Sequence, residues 1–130
     1  MTVLRFSAVL ILSAFIFTGC DDQGDPVTPP STGTTEVKFS TDIQPMLTSK
    51  GCVGCHGSNG GLSVASVASL LAGGNHGPAV VAGKADSSNI VLKLRGTAPF
   101  GARMPQGGPY LSTAEIKKFE DWINAGAKNN

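Results

Sequence analysis

Cys52, Cys55 and His56 stand together in "SKGCVGCHGSNGG", residues 49–61. Two thiols three positions apart, with an imidazole directly after them, suit three kinds of chemistry. They can hold zinc, cycle as a redox dithiol, or attach a haem through two thioethers while the imidazole takes the iron. A structural zinc wants four ligands, usually two CxxC-like pairs or one such pair with a spaced pair of histidines. With Cys20 set aside at the end of an apolar leader, only Cys52, Cys55, His56 and His76 remain. His56 also adjoins Cys55, which leaves it little freedom to share a tetrahedral ion. A thioredoxin-like dithiol needs its CxxC at a helix N-terminus inside an α/β sheet, and sheet patterning is absent here. The C-x-x-C-H spacing favours haem attachment, with His56 as an axial ligand.

The compartment agrees. Met1 to Arg5 carries one basic side chain, and "FSAVLILSAFIF" (6–17) is almost wholly apolar. Twelve residues fall short of the roughly 20 that span a membrane and suit the h-region of a signal peptide. "FTGC" (17–20) resembles the lipobox of bacterial lipoproteins, although Phe17 stands where that pattern favours an aliphatic residue. Residues 1–19 are thus expected to be a lipoprotein-type signal, with Cys20 lipidated and the protein anchored on the periplasmic side of a bacterial membrane. The acidic, Pro- and Thr-rich stretch 20–36 is expected to be a flexible tether.

Residues 37–130 remain as one folded domain. They carry nine Lys and Arg against five Asp and Glu, a formal +4. That excess suits acidic docking partners and is too small to indicate nucleic acid. Fourteen of these 94 residues are glycine, about twice the usual share, so side chains alone make a thin core.

The elements that must position the motif read as helices. In "LSTAEIKKFEDWINAGA" (111–127), Ser112 and Glu115 have capping-box spacing and Leu111 with Ile116 that of a hydrophobic staple. Ile116, Phe119 and Ile123 share a face beside Trp122, Lys117 pairs with Asp121, and Gly126 stops the helix. A helix in "FSTDIQPMLTSK" (39–50) would be capped by Thr41 with Gln44, its apolar face formed by Phe39, Ile43, Met46 and Leu47. Shorter helices are expected around Ser66–Leu71 and Ser87–Leu94, ended by Gly73 and Gly96. Ala79–Ala82 is the one stretch with strand character. The fold class is all-α and loop-rich, with about four short helices.

For the sixth iron position the candidates are His76, Met46 and Met104. Met46 falls on the apolar face of its helix and suits the core. His76 sits in "GGNHGP", a solvent-facing loop. Met104 lies in "GARMPQGGPY", a polar, rigid loop where a thioether has no evident core role, and His/Met is an established ligand pair.

"FSTDIQPMLTSKGCVGCHG", "HGPAVVAGKADSSNIVLKL" and "RMPQGGPYLSTAEIKKFEDWINAGA", in that order, resemble the planctomycete-type c-type cytochrome domains, a branch of the class I cytochrome c fold. The resemblance spans residues 39–127. It implies a helical fold wrapped around one covalent haem c, with Cys52 and Cys55 bonded to it, His56 proximal and Met104 distal. It also suggests the Gly77-Pro78 carbonyl as the acceptor that orients the proximal imidazole. Such a haem would supply the missing core, flanked by Phe39, Leu47, Leu94, Phe119, Trp122 and Ile123. Arg95, Arg103, Tyr110 and Trp122 are candidates for bonding its propionates. The function implied is transfer of single electrons between redox partners rather than catalysis. The alternative is a haem-based sensor whose sixth ligand is labile.

Overall fold

The computed structural model describes residues 35–130. The expected signal, Cys20 and all but the last two residues of the expected tether lie outside the described residues. Among the described residues there is no strand, and none of the helices is long and apolar enough to cross a membrane. A π-helical turn, Phe39–Ile43, leads into α1 (Gln44–Ser49). Then come α2 (Cys52–Cys55), α3 (Val67–Ala72), α4 (Asn89–Arg95) and α5 (Thr113–Asn124), with 3-10 turns at Asn59–Gly61 and Ala85–Ser87. The fold is all-α, and the segment beyond the four expected helices is α2, the C-x-x-C stretch itself.

α5 follows its sequence pattern. Ser112 Oγ accepts from Glu115 N–H, and the Glu115 carboxylate accepts from Ser112 N–H at 2.8 Å. Such a cap stabilises a helix by about 1 kcal/mol. Ile116, Phe119, Trp122 and Ile123 are buried, and Lys117 Nζ meets Asp121 at 2.7 Å on the wet face. At the far end, Trp122 Nε1 donates to Lys128 O at 2.9 Å, which folds the tail back over the indole.

The first helix departs from expectation at its start. It opens at Phe39, two residues before Thr41, with Lys38 at the cap position and no side chain capping it; the Lys38 N–H donates to the Asp42 carboxylate at 3.0 Å. Thr41 Oγ1 donates to the same carboxylate. The displaced start follows from Pro45, which has no N–H to give to an α-helical ladder. The turn ahead of it is wider instead, with Ile43 N–H and Gln44 N–H reaching five residues back to Lys38 O and Phe39 O. Two more N–H groups of this turn go to the tail: Phe39 N donates to Asn130 Oδ1 and Ser40 N to Asn130 O, each at 2.9 Å.

α3 is capped by Ser66, whose Oγ accepts from Ser69 N–H, and ends at Gly73. α4 ends at Gly96 in the left-handed conformation. The stretch with strand character, Ala79–Ala82, is not a strand: Ala79 N and Val80 N both donate to Leu70 O, which docks the segment on the end of α3. Ser88, fully buried, fastens the next bend by accepting from Val81 N–H and donating to Lys84 O.

α5 packs on the π-helical turn, on α4 and on the Ala85–Ser87 turn. Phe39 and Trp122 pack with tilted rings at 5.5 Å between centroids, both within the core. What these elements leave between them is the site.

Candidate functional site

α1, α2, α4 and α5 surround an apolar cavity of 410 Å³, within the range of small-molecule and cofactor sites. Its walls are Met46 and Leu47 of α1, Leu62 and Val64 after the motif, Ile90 and Leu94 of α4, Phe100, Leu111, and Phe119 of α5. Gly60, Gly74, Gly77 and Gly101 bring backbone to its edge. Cys52, His56, His76 and Met104 also line it. An adjoining hollow of 330 Å³ shares Cys52, His56 and Met104 and adds Cys55. The structure therefore brings together the four residues expected to hold a haem, beside an apolar space.

The cysteines reach this position because α2 is a single turn. Gly51, in the left-handed conformation (φ 73°), separates it from α1, and His56 N–H closes it by donating to Cys52 O at 2.8 Å. Cys52 is half-buried and Cys55 exposed, both free thiols. Burial, with the neighbouring Cys55 adding to it, pushes the Cys52 thiol above its ordinary range. An attacking thiol needs the opposite shift, so Cys52 is not poised as a nucleophile. Among the described residues no group of three or more His, Cys, Asp or Glu side chains converges as a zinc site would need.

The imidazole acceptor differs from the one the resemblance suggested. His56 Nδ1 lies 3.2 Å from the carbonyl oxygen of Asn59. Pro78 O instead accepts from Asn89 Nδ2 at 3.0 Å, and that amide also donates to His76 O at 2.9 Å. A loop only three residues long can turn its own carbonyl onto the ring; Gly77 lines the cavity and Pro78 does not.

The candidates for propionate bonding do not line the cavity. Arg95 is paired with Asp86 at 2.8 Å and Glu120 at 2.9 Å. Arg103 donates through Nε to Leu94 O at 2.9 Å, with its guanidinium 4.2 Å from the exposed Tyr110 ring. Trp122, with Phe39 and Ile123, sits in the protein core away from the cavity lining. The cations that do line it are Lys50 and Lys93. Lys50 Nζ meets Glu115 at 2.6 Å, tying the motif to the first turn of α5.

Two further features escaped the sequence. Met46, expected in the core, is half-buried: it packs against the core and also lines the cavity beside Leu47. His76 is exposed as expected, yet it stacks on Phe100 at 4.0 Å along the cavity edge. A signal for Lys93 did exist: it lies three residues after Ile90, on the inward face of α4.

Residues 52–106 match the family model described as Planctomycete cytochrome C. Over those residues the chain is similar to planctomycete-type cytochrome c domains. No curated protein and no solved structure matches it. The match begins at Cys52 and ends just past Met104, so it encloses the motif, the α4 wall and the methionine loop. Covalent haem c goes with that family, and the cavity fits such a group: apolar walls for a flat macrocycle, one thiol in its lining and a second in the adjoining hollow, and an imidazole with a ring nitrogen to spare.

Proposed function

We propose that this domain carries single electrons, holding one haem c through Cys52 and Cys55 with His56 and Met104 as its axial ligands. The carrying observation is that His56 and Met104 line the same apolar cavity as Cys52. Bound there, the haem supplies a ferric/ferrous couple. The residues do the rest. Cys52 and Cys55 keep the group from being lost outside the cell's inner compartment. Asn59 O fixes the His56 tautomer so that Nε2 is the free nitrogen. Leu47, Leu94 and Phe119 exclude water on the inner side, and Met104 with burial favours the reduced form. With both axial positions taken, no position remains for a substrate, which separates a carrier from a catalyst or sensor.

The setting belongs to the same proposal. The apolar leader and "FTGC" support lipidation of Cys20 and a tether on the periplasmic side of a bacterial membrane. The +4 balance of residues 37–130 supports redox partners with acidic docking surfaces.

Exposure of the ferrous protein to carbon monoxide tests the reading. The parent is expected to resist the gas and to titrate as a single one-electron couple, whereas Met104→Ala binds it readily. A parent that binds carbon monoxide at once would favour the sensor instead.

A further inference from the structure

Met104 is carried by a loop with no secondary structure of its own, residues 97–103, yet a carrier must hold its ligands through every redox cycle. The loop's anchors converge on the last turn of α4. Met104 N–H donates to Lys93 O at 3.0 Å, Thr97 N–H to Leu92 O at 2.9 Å, and Arg103 Nε to Leu94 O at 2.9 Å. These satisfy carbonyls that a helix end leaves free. The Lys93 side chain then reaches the other way: its Nζ donates to Phe100 O at 2.9 Å and to Ala102 O, and lies 5.2 Å from the Phe100 ring. Gly101 between those carbonyls has φ 57°, and a Cβ there would stand 3.1 Å from Nζ. The loop is thus wrapped around one ammonium.

We propose that Lys93 is the positioning residue of the sixth ligand: its ammonium, bonded to the carbonyls of Phe100 and Ala102, holds the loop that presents Met104 to the cavity. This rests on the reading of Met104 as an axial ligand. An ammonium has three donors and no acceptor, so it can gather several carbonyls at once. Charge-assisted bonds of this kind are about twice as strong as neutral ones. Half-buried at the cavity wall, Lys93 also covers the loop with its methylene stem. Without it the carbonyls of 100 and 102 lose their partner, and only the bonds at the two ends of the loop, to the carbonyls of Leu92, Lys93 and Leu94, remain.

The test uses the full-length haem-loaded protein and two variants, Lys93→Leu and Lys93→Arg. Lys93→Leu removes the donors without introducing a new iron ligand, and Lys93→Arg keeps them. Hydrogen exchange at the Met104 amide is expected to quicken about tenfold or more in Lys93→Leu, with α5 amides unchanged. Lys93→Arg stays near the parent. The far-red absorption band of a methionine–ferric iron bond is expected to fade at lower pH in Lys93→Leu than in the parent. Unchanged exchange at Met104, or equal acceleration throughout α5, would overturn the proposal. A parent that lacks the far-red band would count against Met104 as ligand, and exchange alone would then judge Lys93 by the same criteria.

Discussion

The Nδ1 atom of His56 lies 3.2 Å from the carbonyl oxygen of Asn59, the first residue of a 3-10 turn. A hydrogen bond from Nδ1 makes the imidazole more basic and leaves Nε2 for iron. The turn is itself pinned, since Asn75 N–H donates to Gly60 O at 2.9 Å and Gly74 packs beside it. A Cβ on Gly74 would stand 2.5 Å from Gly60 O. Gly74→Ala is therefore expected to displace the turn, weaken the His56 bond and raise the reduction potential, because a less basic ligand stabilises the ferric form less. Voltammetry of parent and variant checks this, and an unchanged potential would remove Asn59 O from the account.

Two thioethers line the cavity, Met46 and Met104, and the domain can use only one as the sixth ligand. Met104→Leu is expected to abolish the far-red band and lower the potential by on the order of 0.1 V. Met46→Leu should leave both intact. Reversal of the two phenotypes would transfer the ligand to α1.

Glu115 couples the motif to α5 and does so in a pH-dependent way. The hydrogen bond from Lys50, then the Ser112 N–H and hydroxyl, lower its carboxyl from the ordinary 4.5 to about 2. The unfolded chain takes up this proton near pH 4.5, while the folded protein resists until about 2. The contribution is therefore complete above pH 4.5 and is lost as pH falls towards 2. Glu115→Gln is expected to unfold at lower denaturant than the parent at neutral pH, with the gap closing between those two pH values. A gap that is constant with pH would show that the carboxylate charge does not contribute.

Trp122 tests the line between protein core and haem site. Its indole is 1% exposed, packed on Phe39 and bonded to Lys128 O. Trp122→Phe loses that bond and some volume, at a cost of about 1–3 kcal/mol. The haem spectrum and potential should not move. A shifted potential with little loss of stability would place the indole against the haem after all.

Much of this was legible in the sequence because it depends on neighbours along the chain. Ser112 and Glu115 announce the α5 cap, and Cys52, Cys55 and His56 carry their geometry within one helical turn. What the sequence hid depends on approach across the fold. Thr41 resembled a cap, but the helix opens at Phe39 in a wider turn whose Phe39 and Ser40 N–H groups donate to Asn130. Arg95 and Arg103 were attractive anion ligands by charge alone. Asp86, Glu120 and the Leu94 carbonyl engage them first, and no local pattern encodes those pairings. The Asn59 carbonyl was invisible for a simpler reason: backbone acceptors have no residue type.

The absorption spectrum of the protein, exported in a host that matures c-type cytochromes, tests the central claim most directly. Haem that stays with the denatured chain, a low-spin ferrous spectrum and the far-red band in the ferric form are the predicted result, and they would establish covalent attachment with a methionine as the sixth ligand. Covalent haem without that band would contradict the His/Met carrier and favour an open or histidine-filled sixth position. A chain that takes up no haem would contradict the account as a whole.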